Sequence, residues 1–112
     1  MRGRRLKARV YGNEEVKRII AFIPPGHYHV RLILELADKT IILQEATVAA
    51  IVRAYASTAL HPTKRATELV HRVLSPRDKK QGFASHQLVE SSRREDEILE
   101  EATRILEEAE RG

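Results

Sequence analysis

The chain has 112 residues, 42% of them hydrophobic and none of them cysteine, which suits one domain with one core and excludes disulfide and thiolate chemistry. Its net charge of +4 is unevenly spread: residues 1–18 carry +5, residues 19–59 are neutral, residues 60–89 carry +4 and residues 90–112 carry −5. No apolar run approaches the ~20 residues of a membrane span, and residues 1–5 lack an apolar segment of secretory type, so a soluble cytoplasmic protein is expected.

Leu6, Ala8 and Val10 alternate with Lys7, Arg9 and Tyr11, the period of a strand with one apolar face. Gly12 and Asn13 break it, and Asn13 is placed to cap a helix whose first turn holds Glu14 and Glu15. Val16, Ile19, Ile20 and Ile23 then recur at helical spacing until Pro24-Pro25-Gly26 stops them.

The hairpin signal comes next. Val30, Leu32, Leu34 and Leu36 share one face, and Asp38-Lys39 reads as a two-residue turn into residues 40–44. With Ala37 opposite Thr40, Leu36 lies by Ile41 and Leu34 by Leu43. Residues 45–59 are apolar nearly all round, with Arg53 the only charge inside, which describes a central buried helix. After His61-Pro62-Thr63, a stripe of Ala66, Leu69, Val70, Val73 and Leu74 predicts a second helix that Pro76 follows.

Residues 75–91 form a long polar connection that is functional or mobile, or conceals an edge strand at 83–90. Ser92 with Glu95 fits a capping box. Ile98, Leu99, Ala102, Ile105, Leu106 and Ala109 follow as the apolar seam of a C-terminal helix. The fold class is therefore α+β. A three- or four-stranded, mainly antiparallel sheet carries helices on one face and a long amphipathic C-terminal helix. A right-handed crossover would set the first strand parallel to the second. Residues 1–90 make the compact part, and residues 91–112 belong to it or serve oligomerisation. Composition adds a habitat hint: one methionine, one asparagine and 32% charged residues resemble thermophile usage.

Chemistry-bearing patterns are sparse. His27, His29, His61 and His71 lack metal-ligand spacing, and solvated histidines are the commoner case, so neither metal nor cofactor is expected. No serine lies in a Gly-x-Ser-x-Gly elbow, and no glycine loop cradles phosphate. A small enzyme built on His27, His29 and His61 is the third-ranked reading. Gly-x-x-Gly loops, RNP aromatics and helix-turn-helix patterns are missing too.

Two basic features stand out. One is the sheet face that strand parity leaves uncovered, with Arg4 and Arg5 preceding Lys7, Arg9, Tyr11, His29 and Arg31; the other is Lys64-Arg65 at a helix start, where free N–H groups would welcome phosphate. The first-ranked function is a non-enzymatic binding module that contacts RNA or DNA, or a ribonucleoprotein, through these residues. The second is a structural or regulatory homo-oligomer, most simply a dimer. Its contacts would be Ile33 and Ile42 on the sheet, or Ile98, Leu99, Ala102, Ile105 and Leu106 on the last helix.

Overall fold

A computed structural model describes residues 7–78 and 85–111. Strands β1 (Val16–Phe22), β2 (Arg31–Leu36) and β3 (Thr40–Gln44) precede helix α1 (Glu45–Ala59); β4 (Leu69–Val73), β5 (His86–Glu90) and helix α2 (Glu95–Arg111) follow. β1, β2 and β3 form an antiparallel sheet in that order, and β4 pairs with β5 in a separate two-stranded sheet. The fold is α+β.

The three-stranded sheet has a different first strand from the one expected. Residues 7–12 are irregular, and Asn13–Glu15 is one turn of 3-10 helix whose Glu15 N–H donates to the Gly12 carbonyl. Residues 16–22, expected as helix, are β1 and pair antiparallel with β2, beside which a parallel strand of residues 6–11 was expected. The helical spacing of Val16, Ile19 and Ile20 was misleading. These residues are β-branched, and β2 offers an open edge that satisfies their backbone groups along the whole segment. Between β1 and β2, the His27 N–H donates to the Pro24 carbonyl at 3.0 Å with Gly26 at φ 81°, as a type II turn requires.

The hairpin holds, with β2 beginning at Arg31 and a register slipped by two. Leu34 faces Ile41, Leu32 faces Leu43 and Glu35 faces Thr40. The Leu36 N–H bonds to the Lys39 carbonyl at 2.8 Å, so Ala37 and Asp38, and not Asp38 and Lys39, lie at the tip. A slip of two leaves every side chain on its expected face. Leu32, Leu34, Leu36, Ile41 and Leu43 therefore still share one side, against which α1 packs. Across the other side runs a row of isoleucines, Ile20–Ile33–Ile42, one from each strand.

Helix α1 occupies the expected residues but is not buried: among the described residues, only Leu36 (7% exposed) and Ala50 (3%) are buried apolar groups. The second helix expected over residues 63–74 is absent. Residues 64–68 are irregular and β4 follows, because the concealed strand, found at His86–Glu90, pairs with it and not with the main sheet. Residues 83 and 84 of that expected strand lie outside the described residues. The capping box at Ser92 is not formed either: α2 starts at Glu95, and the Arg94 N–H donates to the Glu97 carboxylate at 3.3 Å.

Leu36→Ala is expected to lower stability by about 2–5 kcal/mol, the usual range for a buried leucine. Ile42→Ala, on the open side of the sheet, should cost less than ~1 kcal/mol. Urea unfolding of both variants at one chain concentration checks the assignment of faces.

Candidate interaction surfaces

Three of the basic residues singled out in the sequence, Arg9, His29 and Lys64, lie against carboxylates of the same chain. Arg9 donates to Asp38 at 2.7 Å and to Glu15 at 2.5 Å while its guanidinium lies 4.3 Å from the Tyr11 ring centroid. The Tyr11 hydroxyl donates to Asp38 at 2.9 Å. Partial desolvation pushes Asp38 up, but the Tyr11 hydrogen bond and the Arg9 charge outweigh it, so the carboxyl sits below its ordinary range. Desolvation pulls Arg9 down, and Asp38, Glu15 and Tyr11 more than reverse it. Tyr11 is thereby held as a hydrogen-bond donor beneath a cation, and its ring is not an open stacking surface.

The same cluster borders a cleft of about 810 Å³ between the segment before β1 and the end of α2. Lys7, Arg9 and Lys39 line it together with Asp38, Glu108 and Glu110. Three charges of each sign meet there, so no single-sign field is focused.

Elsewhere the pattern repeats. His29 Nδ1 lies 3.5 Å from Glu45, whose carboxylate also accepts the Val30 N–H at 2.5 Å. Lys64 Nζ contacts Glu90 at 3.1 Å and Ser57 Oγ at 3.2 Å. The segment at residues 64 and 65, expected to offer the free N–H groups of a helix start, is not helical. It is a loop, and the N–H groups of Arg65 and Ala66 converge on the Glu95 carboxylate from the first turn of α2. Arg93, 3.5 Å from Glu68 and 2.7 Å from Glu101, tethers the same end of the helix. Arg31 stands on the open side of the sheet between Phe22 and Gln44. Arg4 and Arg5 lie outside the described residues.

The histidines do not converge. His61 Nδ1 accepts the N–H groups of Thr63 and Lys64, and His71 stacks on His86 with Nε2 3.0 Å from Nδ1. Among the described residues, no group of three or more His, Asp or Glu side chains is placed to hold a metal. No described helix is long and apolar enough to cross a membrane.

Apolar surface is the stronger feature. Ile33 is half-buried and Ile42 is 62% exposed, and the row they share with Ile20 continues to Phe22 on β1. On α2, Ile98 is half-buried while Leu99, Ala102, Ile105 and Leu106 are exposed along one stripe. A third face was not anticipated: Ile51, Val52 and Tyr55 are exposed on the outside of α1, with Leu60 just beyond its end. Its signal was present in the apolar run itself, because a chain with so few elements has little with which to surround a helix that is apolar on every side.

No protein-family model matches the chain, and neither the curated proteins nor the solved structures give a match.

The Asp38 cluster has a defined pH signature. Because its folded carboxyl lies below the ordinary value of ~3.9, its contribution to stability is fully present above that value and is lost as pH falls through the lower folded one. In an NMR titration, Arg9→Ala and Tyr11→Phe should each move the Asp38 midpoint upward. An unmoved midpoint would show that the cluster does not form.

Proposed function

We propose that this chain is a non-enzymatic interaction protein that works as a homo-oligomer. The observation that supports the reading is the apolar surface left open on α1, on α2 and on the outer row of the sheet, against two buried apolar residues in the described chain. Monomeric soluble proteins seldom leave such contiguous patches, and symmetric self-association is the commonest way to cover them. Charge pairing adds support, since Arg9 and Lys64, two of the cations a polyanion would use, already have carboxylate partners. Sedimentation equilibrium tests this reading. A dimer or larger species at tens of micromolar is expected, and a monomer persisting at several hundred micromolar would refute it.

A second reading, binding of RNA or another polyanion, is favoured by one observation: the seat that the Arg65 and Ala66 N–H groups make for Glu95 is the kind that accepts phosphate. Charge supports it as well. Helix α2 holds two basic and eight acidic residues, −6, so the other eighteen basic and eight acidic residues leave +10. In this reading Glu95 competes with the ligand. Fluorescence anisotropy with single-stranded RNA should give affinities that fall with salt, by roughly 0.7 in log K per phosphate contacted. Glu95→Gln should tighten binding, and charge reversal at Lys64 and Arg65 should weaken it for every sequence. Absence of binding below ~100 μM at low salt would remove the reading.

A further inference from the structure

Building on the self-association reading, we propose that the chain forms a two-fold dimer in which α2 of each copy lies along the outer face of α1 of the other. The two elements suit each other in length. At about 1.5 Å per residue, the 15 residues of α1 and the 17 of α2 span roughly 22 and 25 Å. Each presents one apolar stripe over about 10–12 Å of that length: half-buried Val48 with exposed Ile51, Val52 and Tyr55 on α1, and half-buried Ile98 with exposed Leu99, Ala102, Ile105 and Leu106 on α2. Within its own chain α2 does not pack along α1. It is held near its start by Glu95 and Arg93, with Glu108 and Glu110 beside Lys7 and Lys39 at its far end.

Charge selects among the ways of covering these stripes. Pairing α2 with its own copy would bring two helices of −6 together, a like-charge contact that opposes association. Pairing α1 with α1 meets no such barrier, but it leaves both α2 stripes in water. Helix α1 contains one acid and one base. Glu45 is held by the Val30 N–H, and Arg53 donates to the Leu88 carbonyl at 2.7 Å. An acidic helix therefore meets a neutral apolar stripe set in a body of +10, and the charges are complementary. Two-fold symmetry makes the contact twice, which is how so small a chain approaches the ~800 Å² per partner of a stable interface. The sheet row is the weaker candidate, since Ile20 and Ile33 are already half-covered and the Arg18–Glu35 ion pair lies across the same side.

The absence of native cysteine makes a direct test possible. Val52→Cys and Ala102→Cys change exposed positions near the middle of each helix, so they report the contact whether the helices run parallel or antiparallel. Mild oxidation of an equal mixture of the two variants should give a disulfide-linked dimer, and neither variant alone should do so. A crosslink in either variant alone, or none in the mixture, overturns the pairing. In parallel, Tyr55→Glu and Leu106→Glu should each give monomers by sedimentation with an unchanged circular dichroism spectrum, whereas Ile42→Glu should remain dimeric. A wild-type dimer that survives both helix substitutions removes the α1–α2 pairing alone. A wild-type chain that is monomeric throughout removes the self-association reading with it.

Discussion

The contact between α1 and the leucine face of the β2–β3 hairpin is the support on which the other elements depend. It contains both buried apolar residues of the described chain, Leu36 from β2 and Ala50 from α1. β1 is added to the free edge of that hairpin, and β5 also rests against α1. The Arg53 guanidinium fastens β5 to the helix by donating to the Leu88 carbonyl. Each later element therefore takes its place from a helix and a hairpin that are neighbours in sequence. This is a favourable arrangement for folding, because local contacts cost little loop-closure entropy.

The same arrangement explains why so much apolar surface stays open. A helix has two sides, and a three-stranded sheet covers one of them. The β4–β5 pair is only five residues long in each strand and flanks α1 without enclosing it. Burial of apolar area is the main favourable term in folding, and a small domain has little of it to spare. A chain that leaves Ile51, Val52 and Tyr55 in water while burying two residues gives up stability that association would restore.

Electrostatics plays the complementary part. The segregation of charge along the sequence becomes a set of local pairings in three dimensions: Arg9 with Asp38 and Glu15, Lys64 with Glu90, and the loop at residues 65 and 66 with Glu95. These pairs are exposed, so each contributes little to stability. Each cancels a basic charge locally, and the Glu95 contact holds the first turn of the acidic helix to residues 65 and 66.

Sequence alone determined the elements whose pattern is local: the β2–β3 hairpin, α1 to the residue, and the C-terminal amphipathic helix. Alternation, an apolar run between polar ends and an i, i+4 stripe are properties of consecutive residues, and they persist whatever lies nearby. Tertiary structure decided residues 16–22 and 69–73. Both carry β-branched residues at spacings that fit a helix as well as a strand, and a partner edge outside the segment itself resolved the ambiguity. It likewise decided the hairpin register, because the closing bond from Leu36 to Lys39 depends on turn geometry that side-chain periodicity does not encode. The fate of the candidate site residues followed the same division. Ile33, Ile42 and the α2 stripe were legible because strand and helix parity place them, whereas Ile51, Val52 and Tyr55 read as core until the packing left one side of α1 uncovered. Apolar sequence states that a residue must be buried; only the three-dimensional arrangement states whether its own chain supplies the cover.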